Sequence, residues 1–346
     1  MSLHSRRTVL TAGATALLAL AATACTGAGA ADGKGSGKVP VRIAYQAIPN
    51  ADLVVKNQRL LEKALPDAEV RWVKFDSGGD VNTAVIAGAV DFGLIGSSPV
   101  AKGLSAPLDI PYKVLWIHDL IGDNEALVAK KEIASVAALK GRKVAAPFGS
   151  TAHYSLLAAL ESAGLSASDV SLVDLQPQDA LAAWQRGDID AAYVWTPTLT
   201  ELRRTGTVLT TSRKIAAAGK PTADLGVVTN AFAAEHPKIV DAWLTAENQA
   251  VELARKDPAK AAAAIGAELN LKPAEARAQL AELVLLTARE QREPAYLGTP
   301  GKPGALAGNL RDAAVFLQGQ KAIDAVPERA AFEKALAVEE LSRGAR

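Results

Sequence analysis

The sequence predicts an α/β fold of two similar lobes, each built on a mostly parallel sheet, facing each other across a cleft. Three observations carry this. First, the pattern Gly88-Ala89-Val90-Asp91-Phe92-Gly93-Leu94 recurs as Gly187-Asp188-Ile189-Asp190-Ala191-Ala192-Tyr193. In each copy Gly closes an Ala-rich helical stretch, where it relieves left-handed backbone strain. An apolar run of strand length follows, which suits a parallel strand covered on both faces. Second, strand and helix patterns alternate at βαβ spacing through both halves. Third, the chain crosses between the halves twice, near residues 119–125 and 220–224. Two connecting strands make a hinge, and two like lobes across a cleft suit the enclosure of a small molecule.

The first residues are an address. Ser5-Arg6-Arg7 precedes an apolar run over residues 9–22, then Thr23-Ala24-Cys25. The run is shorter than the ~20 residues a spanning helix needs, so residues 1–24 read as a secretory signal. Ser5-Arg6-Arg7-Thr8-Val9-Leu10 also fits twin-arginine export; a plain basic start fits as well. Cys25 is the only cysteine in 346 residues. Its place after small residues resembles a lipobox, with Ala22 at the usual Leu position, and makes Cys25 the expected lipid attachment site. The alternative is an ordinary signal with an incidental cysteine. Residues 27–38 hold almost no apolar bulk, so residues 25–38 are expected to be a lipidated Cys and a tether reaching roughly 20 Å. That tether would hold the protein at the outer face of the cell membrane.

The remainder is long enough for two lobes, and 49% hydrophobic residues supply their cores. Lobe 1 is expected over residues 39–121 with 224–335, and lobe 2 over residues 122–223. A net charge of +1 without a basic stripe argues against a nucleic-acid partner. A single cysteine excludes an internal disulfide and a thiolate metal site. The four histidines, at 4, 118, 153 and 236, have no metal-ligand spacing. No metal and no cofactor is expected.

Lobe 1 opens with a strand over residues 41–46, a helix over 53–65 stopped by Pro66, and an alternating strand over 69–75. The turn Asp76-Ser77-Gly78-Gly79-Asp80 starts a helix over 81–87, and a strand follows at 91–95. Lobe 2 has strands at 126–129 and 142–146. The turn Pro147-Phe148-Gly149-Ser150-Thr151 then feeds a helix over 152–163, ended by Gly164. A strand at 170–175, a helix at 180–186 and a strand at 191–195 complete it. Residues 225–228 return to lobe 1, and the Ala/Leu-rich helices from Pro237 onward cover its sheet.

In open parallel sheets ligands bind beyond the carboxyl ends of the strands. This selects Gln46, Asp76-Ser77, Ser97-Ser98, Ser150-Thr151-Ala152 and Trp195-Thr196. A helix start offers free N–H donors and suits an anion; ordinary N-capping by Ser and Thr explains the same residues. Glu125 and Asp224 stand at the crossings, where a carboxylate can hold an ammonium or make a hinge salt bridge. Trp195 can face a cation. His153, in the first turn of its helix, can donate to an oxyanion or sit at the surface.

Phe75-Asp76-Ser77-Gly78, Gly96-Ser97-Ser98-Pro99, Pro147 through His153-Tyr154-Ser155 to Leu160, and Ala183-Trp184-Gln185-Arg186-Gly187-Asp188-Ile189-Asp190 with Tyr193-Val194-Trp195 resemble the sulfonate-, nitrate- and taurine-binding proteins of bacterial ABC importers. The likeness is densest to the taurine binders. It implies a two-crossover (type II) periplasmic-binding-protein fold. It also implies a sulfonate held by the Ser98 turn and the Thr151–His153 helix start, with the amine near Asp224. Two departures stand out. Ala152 replaces a Thr, removing a hydroxyl but not its N–H. Gly226 replaces a bulky aromatic, which leads us to expect an enlarged amine end of the pocket.

The resemblance implies a monomeric, exported, lipid-anchored binding protein that delivers taurine or another small sulfonate to an ABC permease and its ATPase. A tethered ligand sensor uses the same residues. An enzyme on this fold needs a nucleophile, a metal or an oriented base, and none stands at a recognisable spacing; no catalytic residue is expected.

Overall fold

A computed structural model describes residues 37–344. The signal at 1–24, Cys25 and the tether up to its last two residues lie outside the described residues. The chain divides after Gly37, and the fold below is that of the part from Lys38 onward.

Ten strands form two five-stranded sheets. They are β1 (Val39–Gln46), β2 (Ala68–Phe75), β3 (Phe92–Gly96), β4 (Tyr112–Leu120), β5 (Glu125–Ala129), β6 (Lys143–Ala146), β7 (Ser171–Asp174), β8 (Ala191–Trp195), β9 (Thr207–Thr211) and β10 (Ala223–Thr229). The strand orders are β2-β1-β3-β10-β4 and β7-β6-β8-β5-β9. β1 pairs in parallel with β2 and β3, and β6 with β7 and β8. The one antiparallel strand in each sheet, β10 or β5, is the strand that has just crossed from the other lobe. It enters from the cleft and runs away from it, while its neighbours run toward it. The sheets are therefore two copies of one arrangement, α/β and mostly parallel.

The repeated motif has one structural job in both copies. Gly88 and Gly187 take φ of 65° and 80°, the left-handed region that ends each helix. Asp91 then accepts the Arg42 N–H at 2.9 Å, and Asp190 accepts the Lys143 N–H at 2.8 Å. Each aspartate thus pins the neighbouring parallel strand, at Arg42 within β1 or at Lys143, the first residue of β6. The backbone closes the same link, from Asp91 N–H to Arg42 C=O and from Asp190 N–H to Lys143 C=O.

The helices from Pro237 onward share one buried cluster with lobe 1, through Trp243, Leu244, Ile265 and Leu310 against Val41, Phe92 and Trp116. Lobe 2 buries Leu127, Val144 and Tyr193 on one face and Val128, Ala192 and Trp184 on the other.

Several elements depart from the sequence expectation. The helix expected over 53–65 is two, Asp52–Asn57 and Leu60–Ala64, because Arg59 takes φ of 53°. The helix expected from Val81 starts at Gly78, capped by Ser77, whose Oγ accepts the Asp80 N–H. β4 and β9 carried no expectation, since Lys113, His118 and Asp119 in one and the three threonines Thr207, Thr210 and Thr211 in the other interrupt their apolar runs. Among the described residues, no helix is long and apolar enough to cross a membrane.

Candidate functional site: the interlobe cleft

A pocket lies where the two crossings meet the strand ends. It is tight as it stands, with a cavity volume of about 10 Å³, on the order of one water. Gln46, Ile48, Gly78, Gly96, Pro99 and Asp224 line it from lobe 1, Glu125, Ser150, Thr151 and Trp195 from lobe 2, and Ile121 and Asn124 from the first crossing.

Two helix starts face the pocket. One belongs to the nine-residue helix Gly78–Ile86, the other to the twelve-residue helix Thr151–Ser162. Ser77 and Ser150 cap the third helical N–H of each, from Asp80 and His153. The first N–H groups of a helix have no intrahelical partner, so the Gly78 and Thr151 turns present free donors with the positive end of the helix dipole. A Cβ at Gly78 would stand 2.8 Å from Pro99 Cγ and 3.0 Å from Ile95 Cγ2. Glycine here lets the helix start pack close against the Pro99 turn.

Acidic groups gather at the same place without a basic residue among the pocket's lining. Glu125 is buried and accepts from Thr151 Oγ1 at 2.6 Å, Ser212 Oγ at 2.6 Å and Ser155 Oγ at 3.4 Å. Burial still pushes its carboxyl up to about 7, with those hydroxyls pulling the other way. Asp224 pairs with Asp119 across β10 and β4. Burial, then neighbouring carboxylates including Glu125, hold both well above the usual carboxylate range. Asn50 Nδ2 donates to Asp119 Oδ2 at 2.5 Å. Asp224 accepts from no backbone or amide donor among the described residues; its hydrogen-bond partner is the Asp119 carboxyl. Asp52, buried behind them, is pushed up to about 7 by burial. Among the described residues, no three His, Cys, Asp or Glu side chains stand where they could hold a metal ion.

Gln46, Glu125, Ser150, Thr151, Trp195 and Asp224 therefore share one pocket. Gln46 fixes itself by donating to the Leu94 C=O at 3.0 Å. Five other candidates stand apart from it. Asp76 is exposed, because the turn to the helix begins one residue later. Ser97 Oγ accepts the Ala223 N–H at 3.2 Å and pins the start of β10. Ser98 is buried away from this pocket. The Ala152 side chain lies in the lobe 2 core. His153 turns outward: its Nδ1 accepts the Gly149 N–H, and its ring stacks on Phe148 at 4.6 Å. The enlarged amine end expected from Gly226 is also absent. A Cβ there would meet Trp243 Cη2 at 2.5 Å, His118 Nε2 at 3.0 Å and Trp116 Cβ at 3.2 Å. The aromatic bulk comes from Trp116 on β4 and from Trp243 on the helix Pro237–Lys256, both distant in sequence. Asp119 and Asn50, which complete the acidic cluster, were missed; the polar end His118-Asp119 of an apolar run is the signal that marks them.

Comparison with known proteins decides the family. Residues 39–268 match the model for the substrate binding domain of ABC-type glycine betaine transport systems. The chain belongs to this family. Within it, the chain is 43% identical over 205 residues to the taurine-binding periplasmic protein of Escherichia coli K12, a match covering 59% of this chain and 63% of that protein. The chain thus matches somewhat less than two thirds of that relative's length. Two solved structures share the fold. The alkanesulfonate-binding protein of Xanthomonas axonopodis pv. citri, bound to MOPS, superposes with a TM-score of 0.70 at 23% identity, over 87% of this chain and 99% of that one. The periplasmic aliphatic sulphonate binding protein of Escherichia coli does so with a TM-score of 0.66 at 23% identity, over 84% and 91%. The two-lobed fold of this substrate-binding family is that described above.

Proposed function

We propose that the protein captures taurine or a closely related small amino-sulfonate in the interlobe cleft and delivers it to an ABC permease and its ATPase. One observation carries this: Asp224 is a buried carboxylate on the pocket wall with no cation and no backbone or amide donor among the described residues, its partner being another carboxyl, Asp119, and the same pocket holds a helix start rich in N–H donors. A ligand with an ammonium and a sulfonate matches both. The ammonium lies at Asp224 and Glu125, and the sulfonate at the Thr151 and Gly78 helix starts, with Gln46 and Trp195 closing the sides. The names of the relative and of the two solved structures support the ligand class. The protein is monomeric and binds without catalysing a reaction. Lobe 1, residues 39–121 with 224–335, and lobe 2, residues 122–223, close about the two crossings, since ligand contacts divided between lobes favour the closed state. A thermal-shift screen of sulfonates, sulfate esters, nitrate and amino acids tests the assignment: taurine is expected to give the largest shift, and a larger shift from an amino acid or from nitrate would refute it.

Binding is expected to depend on pH. Glu125 titrates at about 7, and the Asp119–Asp224 pair lies well above the usual range. An ammonium binds their ionised forms, so taurine affinity rises from about pH 6 to about pH 8 by up to tenfold per unit while a proton is displaced. The empty protein behaves oppositely. Its carboxyls are raised above their unfolded values, so it holds more protons than the unfolded chain. Their contribution to stability is full below about pH 4 and is lost as pH rises through about 7. Calorimetry in buffers of different ionisation heat measures the proton release directly, and a pH-independent affinity for taurine would argue against ammonium at this cluster.

The protein is exported and held by a diacylglyceryl group on Cys25, one chain being too weak for stable anchoring. Cys25→Ser is expected to release it from membranes with unchanged taurine affinity. Retention of the variant on membranes after a high-salt wash would exclude the lipid anchor.

A further inference from the structure

The lobes stand together in this structure. Gln176 Nε2 of lobe 2 donates to Ser77 Oγ of lobe 1 at 3.5 Å, and Tyr154 of lobe 2 meets Phe316 of lobe 1 edge to face at 4.7 Å. One arginine adds a charged link between them. Arg203 ends the helix Thr198–Arg203 of lobe 2. Its Nη1 donates to Glu282 Oε1 of lobe 1 at 2.8 Å, and its Nη2 donates to the Asp123 C=O in the first crossing. Neither Arg203 nor Glu282 lines the cleft pocket. We propose that Arg203 is a positioning residue for ligand capture, latching the lobes together through Glu282 from outside the pocket.

The geometry separates a pivot from a latch. Asp123 belongs to the crossing, so the bond from Arg203 to its carbonyl travels with the crossing. Arg213 of lobe 2 clamps the same segment: its Nε donates to Asp123 Oδ2 at 2.7 Å, and its backbone N–H donates to the Gly122 C=O at 3.2 Å. Glu282 belongs to the other body. Two residues further on, the Val284 C=O accepts the Leu120 N–H at 3.1 Å, which fastens this segment to the last residue of β4. Rotation of the lobes about the crossing therefore keeps the Asp123 bonds and moves Arg203 relative to Glu282. The pair is suited to hold. Its side chains are only 26% and 28% exposed, so solvent screens it less than an open pair. Burial raises the Glu282 carboxyl, and Arg203 draws it back down. Among the described residues the other ion pair between the lobes, Arg204 with Glu275, is long at 3.8 Å and exposed. Closing forms the Arg203–Glu282 bond, which raises the closed fraction, and apparent affinity rises with that fraction. This role rests on the lobe closure proposed above.

Two variants of the full chain test it. Glu282→Gln removes the charge of the latch and leaves the Asp123 bonds, whereas Arg203→Gln loses both. Small-angle scattering without ligand is expected to give each variant a larger radius of gyration than the unmutated protein. Added sodium chloride is expected to enlarge the unmutated protein toward that value and to leave Glu282→Gln unchanged. Taurine is expected to bind each variant roughly two- to fivefold more weakly, and the double variant no more weakly than Arg203→Gln alone. A purely structural role lowers the melting temperature but moves neither the radius nor its salt response. An unchanged radius for Glu282→Gln, or an unchanged affinity in a protein that does bind taurine, would overturn the proposal. If taurine does not bind the unmutated protein, the ligand assignment fails while scattering still decides the latch, and Glu282→Gln remains decisive if Arg203→Gln does not fold.

Discussion

Asp224→Asn weakens taurine binding by about one to two powers of ten and leaves ethanesulfonate binding nearly unchanged. A charge-assisted hydrogen bond contributes ~1.5–3 kcal/mol, and each 1.4 kcal/mol or so is tenfold in affinity. The asparagine keeps the shape and removes the charge. Ethanesulfonate has no ammonium, so it has no interaction with that charge to lose. Glu125 differs, because three hydroxyls already bond it; changing it disturbs the Thr151 helix start as well as the amine end. Calorimetric titration of both ligands into both proteins separates charge from scaffold. Equal losses for the two ligands would mean that Asp224 only holds the hinge together.

Gly226→Ala is expected to cost about 1–3 kcal/mol of stability, the usual range for overpacking a filled core, and Gly226→Trp to cost more. Neither tightens taurine. The cause is the Trp243 ring, 2% exposed and stacked on Phe92 at 5.4 Å, whose Cη2 occupies the place of the new Cβ. Trp116 and His118 close the other sides, so the indole has no room to withdraw. Thermal melts of the alanine variant with and without taurine measure this. An unchanged melting temperature would show that the site holds slack after all.

How much of this was legible in the sequence follows from the range of the forces involved. The repeated Gly-x-x-Asp motif reads directly because its parts act locally: Gly187 ends its helix, and Asp190 begins the next strand. The residues at strand ends, among them Glu125 and Thr151, follow from topology once strand and helix alternate. What a residue at a strand end touches does not follow. Ser97 and Ser98 look like a donor turn, but their helix Ser97–Gly103 begins against Ala223, so the Ser97 hydroxyl serves β10 and the Ser98 hydroxyl is buried away from the cleft. The Ser77–Gly78 turn takes that place in the cleft. Arg59 splits a helix whose apolar pattern continues unbroken, since periodicity does not report a left-handed residue. Gly226 misleads for the same reason at longer range. Its missing side chain reads as space, and the space is taken by Trp243, seventeen positions further along the sequence.

The central claim is that one small cleft reads both ends of a zwitterion. Its most direct test is a calorimetric comparison of taurine with ethanesulfonate at about pH 8, two ligands that differ by the amine alone. The account predicts one taurine bound per chain and at least tenfold weaker ethanesulfonate, the difference set by the charge-assisted bonds at Asp224 and Glu125. Equal affinities for the two, or no binding of taurine, would contradict it.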